Sequence, residues 1–78
     1  MQNIEENNGF VYRSYNKAEL ARMYVPDRAQ RTAMRMFNKW LTHHPPFWKR
    51  LQREGITIKT QIFNTAQVRA IVDYLGEP

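Results

Sequence analysis

Residues 27–46 read DRAQRTAMRMFNKWLTHHPP. Within them Ala33, Met36, Phe37, Trp40 and Leu41 recur at separations of three, one, three and one, the spacing of a helix with one apolar face. Arg28, Arg31, Arg35 and Lys39 recur at separations of three, four and four, on a stripe turned away from the apolar one. Asp27 with Gln30 three positions on is a start signal, and His43-His44-Pro45-Pro46 is a stop. The stretch therefore predicts an amphipathic helix of about 15 residues, about 22 Å long, with an entirely basic outer face.

Upstream, Asn16 followed by Glu19 opens an earlier helix with a capping-box pattern. Leu20, Ala21 and Tyr24 form its apolar face, and Pro26 ends it by pushing the preceding residue out of the α region. Residues 10–15 (FVYRSY) are β-branched and aromatic, which predicts a short extended segment tucking Phe10 or Tyr12 into the core. Residues 1–9 (MQNIEENNG) are polar and end in Asn-Asn-Gly, so a disordered tail is expected there.

Downstream, a short third helix is expected from Phe47 to about Glu54, with Pro46 at its first position and Gly55 as its stop. Phe47 or Trp48, with Leu51, supplies its buried side. Residues 56–63 (ITIKTQIF) alternate apolar and polar around Lys59-Thr60, which predicts two three-residue strands joined by a tight turn. Asn64 and Gln67 cap a fourth helix with Val68, Ile71, Val72 and Leu75 on one face, and Gly76 closes it.

These elements predict a mainly α fold: a compact four-helix domain over residues 10–78 with a small two-stranded β-ribbon, resembling a winged helix-turn-helix. The connections are short enough to imply a single core. Its centre is expected at Leu20, Ala21, Phe37, Trp40, Leu51, Ile58, Val68, Ile71 and Leu75. Seventy-eight residues leave no room for a second domain.

The chain has no cysteine, so neither a disulfide framework nor a thiolate metal site can form. No apolar run approaches the roughly 18 residues of a membrane span, and the acidic start is the opposite of a signal peptide. A soluble cytoplasmic protein with no membrane association is the expectation.

Catalysis finds no apparatus here, and no metal or cofactor is implied. His43 and His44 are adjacent, hence about 100° apart on a helix, and cannot share a metal as an i, i+4 pair would. They suit a helix end, where positive charge is favoured. Ser14 has no histidine or carboxylate at a suggestive local spacing, and the three glycines are isolated, which excludes a glycine-rich phosphate loop.

Charge points elsewhere. Twelve basic and seven acidic residues give a net +5. Glu5 and Glu6 precede residue 10, so the rest of the chain sets twelve basic groups against five acids. No acid lies between Asp27 and Glu54, and that interval holds Arg28, Arg31, Arg35, Lys39, Lys49, Arg50 and Arg53. A helix face serving solubility alone usually mixes signs to gain i, i+4 pairs, whereas this one is left with uncompensated repulsion that a bound polyanion would relieve.

Double-stranded DNA is the partner expected first. Arginine offers a planar fork to phosphate and guanine, and the helix is long enough for a major groove. Arg28, Arg31 and Arg35 would read base edges, Lys39 would touch phosphate, and Lys59 at the ribbon tip would grip the flanking backbone. With Phe37 and Trp40 assigned to the core, no aromatic interleaves this patch, which makes a single-strand platform the weaker variant. The alternative is an adaptor that docks on a protein partner, with Trp48 beside Pro45-Pro46 as its exposed anchor.

Two resemblances accompany these readings. Arg13-Ser14-Tyr15, Lys17, Glu19-Leu20-Ala21, Tyr24 and Pro26 open a pattern that continues through Ala33, Trp40-Leu41, Leu51 and Gly55. It closes with Phe63, Gln67-Val68, Ile71-Val72 and Tyr74-Leu75-Gly76-Glu77-Pro78. This pattern resembles an uncharacterised family of short proteins from Bacteroides-type gut bacteria, domain of unknown function 4248. The resemblance implies a bacterial protein and carries no activity with it. More loosely, Glu19-Leu20-Ala21 ahead of a basic helix containing Trp40 is similar to MerR- and excisionase-like winged helix-turn-helix domains, which implies DNA recognition by the second helix and the wing.

Overall fold

A computed structural model describes residues 9–78. The tail expected at residues 1–9 lies, for residues 1–8, outside the described residues. The order is β1 (Tyr15–Asn16), α1 (Lys17–Tyr24), α2 (Gln30–Thr42), α3 (Pro45–Arg53), β2 (Ile62–Phe63) and α4 (Thr65–Leu75). Among the described residues the fold is thus mainly helical, with four helices and one small antiparallel sheet.

Local chemistry sets most of the boundaries. The Asn16 side chain accepts the Ala18 N–H at 2.8 Å and starts α1. Glu19 does not complete the expected box; it pairs instead with Arg13 at 2.9 Å. At α4 the box is complete: Asn64 Oδ1 accepts the Gln67 N–H at 2.8 Å and Gln67 Oε1 accepts the Asn64 N–H at 2.9 Å. The α3 helix begins on Pro45, one residue before the expected Pro46, where proline costs no hydrogen bond. Gly55 follows it at φ +90°, a backbone that side chains with a Cβ disfavour.

The ribbon is built differently from the expectation. Residues 56–63 do not form a hairpin. Thr57–Thr60 is a turn in which the Thr60 N–H donates to the Thr57 carbonyl at 3.1 Å. The two hydroxyls reinforce it, Thr57 Oγ1 accepting the Lys59 N–H at 3.2 Å and Thr60 Oγ1 accepting the Thr57 N–H at 2.9 Å. Lys59-Thr60 offers neither glycine nor asparagine to the left-handed positions that a two-residue hairpin turn needs. Ile62–Phe63 pairs instead with Tyr15–Asn16, in the register Tyr15 to Phe63 and Asn16 to Ile62.

The core takes one face from every helix. Leu20 and Ala21 meet Ala33, Phe37 and Leu41; Phe47 and Leu51 of α3 and Val68, Ile71 and Val72 of α4 close the other side, with Tyr15, Ile56 and Phe63 filling between. Phe37 lies 5.7 Å from Tyr24 and 6.3 Å from Phe63, ring centre to ring centre. Phe10 and Tyr12 both pack against this core, as the extended segment predicted. Three expected core residues are misplaced. Ile58 is 49% exposed because its segment is a turn, Leu75 is only partly buried, and Trp40 is 36% exposed.

One charged residue is inside. Lys17 is 2% exposed, its N–H donates to the Gln61 carbonyl at 2.7 Å, and its ammonium donates to the Ile58 carbonyl at 3.0 Å. It ties the Thr57–Thr60 turn to the start of α1. Burial lowers its pKa from the ordinary lysine value.

Candidate nucleic-acid interface

Helical periodicity sorts the side chains of α2 into three rows. Ala33, Phe37 and Leu41 are buried; Met36 and Trp40 stand beside them; Arg31, Arg35 and Lys39 form an exposed ridge. A step of four residues turns such a row by about 40° and advances it by about 6 Å, so the ridge winds about the helix alongside the parallel Met36–Trp40 row. His43, the C-cap residue, continues the ridge by one more step.

Among the described residues the ridge cations form no salt bridge. The ion pairs found, Arg13 with Glu19 and Arg50 with Asp73 at 3.1 Å, involve none of them. Among the described residues Arg28, Arg31, Arg35 and Lys39 make no salt bridge, nor do Lys49 and Arg53 of α3. Among the described residues, Arg50 is the basic group of the acid-free interval that is neutralised, by Asp73 of α4.

Two sequence-assigned contacts sit apart from the ridge. Arg28 is exposed but precedes α2, because the helix starts at Gln30 with Ala29 as an N-cap that supplies no side-chain acceptor. Asp27 falls in the turn after Pro26 and does not cap the helix. Lys59 is exposed on the Thr57–Thr60 turn, fastened to the N-terminal end of α1 through Lys17, and no hydrogen bond or ring contact joins it to α2.

The tryptophans exchange the places expected of them. Trp48 is half-buried against the core, while Trp40 is exposed at the surface. Trp40 lies on the border row, with the ring of Tyr24 6.5 Å away and nearly perpendicular to it. It opens onto a groove of about 590 Å³ lined by Met36, Lys39, Trp40, His43, His44, Tyr74 and Leu75. Tyr74 is held by ring contacts to Phe47 at 4.1 Å and His44 at 5.4 Å, both close to parallel. Sequence periodicity had no means of finding this groove, because α4 supplies one wall from the far end of the chain.

Among the described residues no cluster of histidine, cysteine, aspartate or glutamate could hold a metal ion, and no helix is long and apolar enough to cross a membrane.

Fold and surface together define a small helical domain with a two-strand clasp and a one-signed ridge. A family model described as "Domain of unknown function (DUF4248)" matches residues 11–78, and the chain belongs to that family. No curated protein and no solved structure matches it.

Proposed function

We propose that this protein is a non-enzymatic double-stranded DNA-binding protein of the cytoplasm, with regulatory or accessory roles, that lays α2 against the duplex. The observation that carries this reading is the exposed ridge Arg31, Arg35 and Lys39, without a salt bridge among the described residues and with Arg28 just ahead of the helix, within an interval holding no acid. With Arg28, Arg31 and Arg35 placed on phosphates beside Lys39 instead of on base edges, four neutralised phosphates give a slope of log K against log salt of about −3.6. Raising salt from about 50 to about 200 mM then weakens binding about 150-fold.

Anisotropy titration of a labelled duplex tests this directly. Replacing Arg31, Arg35 and Lys39 together by alanine should flatten the slope by about 2.7 while leaving the circular dichroism spectrum unchanged. A wild-type protein that fails to bind duplex at low salt ends this reading. The loose resemblance to winged helix-turn-helix domains offers Lys59, on the Thr57–Thr60 turn and not on a hairpin, as a contact to the flanking backbone. Lys59→Ala should then flatten the slope by about 0.9, and an unchanged slope removes this turn from the interface.

A protein-docking adaptor is the second reading. The exposure of Trp40 and Tyr74 favours it, and these two rings replace Trp48 as its anchors.

A further inference from the structure

We propose that the groove beside Trp40 seats an unpaired nucleobase, so that the preferred ligand is a duplex ending in a single-stranded overhang. This rests on the DNA reading of the α2 ridge and names the form of DNA the site takes.

Single exposed aromatics are ordinary on protein surfaces. Four apolar or aromatic side chains converging on one concavity are not, and Met36, Trp40, Tyr74 and Leu75 converge here. The groove's volume, about 590 Å³, lies in the range of sites for small planar ligands. Tyr74 is already fixed by Phe47 and His44, so a ring arriving beside it meets a wall that need not be ordered on binding.

The charge of the lining selects the occupant. Lys39 lines the groove and no carboxylate does. The occupant should therefore combine a flat apolar body with negative charge, as a nucleotide does. Lys39 belongs both to the ridge and to the groove, so a strand whose phosphates follow Arg31, Arg35 and Lys39 is delivered to Trp40 at its end. An acidic peptide would satisfy the charge, but nothing in its chemistry calls for the flat walls of Trp40 and Tyr74. The basic row lacks interleaved aromatics only while Trp40 is counted in the core; at the surface, it supplies the stacking partner that single-strand contacts require.

The test compares a blunt duplex, the same duplex with a short thymidine overhang, and the overhang strand alone. Stacking of one base on an aromatic ring at its usual strength makes the overhang duplex about 10- to 100-fold tighter than the blunt one. Trp40→Leu should bring that ratio close to one while leaving blunt-duplex affinity and its salt slope as in the wild type. In Trp48→Phe, where Trp40 is the remaining tryptophan, its fluorescence should be quenched by the overhang duplex and not by the blunt one.

Equal affinity for blunt and overhang duplexes overturns this inference and leaves the DNA reading standing. No binding to either ends the DNA reading itself. A preference that survives Trp40→Leu also overturns it. So does quenching of Trp40 by an acidic, leucine-containing peptide without quenching by the overhang, which would assign the groove to a protein partner.

Discussion

Gln67 joins two helices through one side chain, and replacing it should cost more than removing the cap it serves. Its Oε1 accepts the Asn64 N–H at 2.9 Å, and its Nε2 donates to the Glu54 carbonyl at 2.8 Å, reaching back to the end of α3. The side chain is 8% exposed, so water cannot readily substitute for either bond. Gln67→Leu is one bond shorter but of similar volume, and it deletes both bonds. At about 1 kcal/mol each, the loss is about 2 kcal/mol, part of a typical stability of about 5–15 kcal/mol. For a domain of this size that lowers the melting temperature by about 8–16 °C. Asn64→Ala removes only the acceptor of the Gln67 N–H and should cost about 1 kcal/mol. Urea titrations followed by circular dichroism measure both, with an unchanged m-value marking a change in stability alone. If Gln67→Leu costs no more than Asn64→Ala, the bond to the Glu54 carbonyl contributes nothing and the reasoning is refuted.

Other perturbations follow from the same geometry. Burial holds the pKa of Lys17 below the ordinary 10.5, so between the folded value and 10.5 the unfolded chain binds more protons. Stability should therefore rise with pH through that window, and Lys17→Met should abolish the rise in melts taken across the alkaline range. The α2 helix starts on Ala29 at φ −62° and ψ 153°, a backbone ready for a capping side chain that alanine lacks. Ala29→Ser should stabilise the fold by about 1 kcal/mol, read as a higher urea midpoint. Gly55→Ala forces a Cβ onto a residue at φ +90°, with Gln67 Nε2 only 3.4 Å from it, and should cost about 1–3 kcal/mol in the same titration.

Elements defined by local chemistry were legible in the sequence, and those defined by distant neighbours were not. Asn16, the Asn64–Gln67 box, Pro26, Gly55 and Gly76 mark boundaries through bonds made within a few residues, and the helices begin or end near them. Periodicity also separated the ridge Arg31, Arg35 and Lys39 from the buried row of Ala33, Phe37 and Leu41. It could not assign Trp40, which stands on the border between rows. Whether a border residue is covered depends on what packs alongside, and here the neighbours, Tyr24 among them, leave Trp40 36% exposed. Residues 56–63 show the same limit. Their alternation fits a strand, but the partner of Ile62–Phe63 lies more than 40 residues upstream, and Lys17 holds the intervening turn from outside the segment. Asp27 resembles a cap because its spacing from Gln30 is right, yet the turn at Pro26 holds it short of the helix, which starts only at Gln30 with Ala29 at its N-cap.

Tyr12 and Tyr24 reach the last residues of the chain, the first through its hydroxyl to Glu77 Oε2 at 3.3 Å and the second to the Gly76 carbonyl. Arg69 covers the ring of Tyr12 at 4.6 Å, closing the same corner. The segment that enters the domain and the segment that leaves it are therefore spatial neighbours. A short flexible linker could join them without disturbing a helix, and new ends could be opened between Pro26 and Ala29 or within Thr57–Thr60. Such a circular permutant would keep the ridge and the groove intact. Because both connections leave from one corner, the domain could also be inserted into a surface loop of another protein as a self-contained cassette.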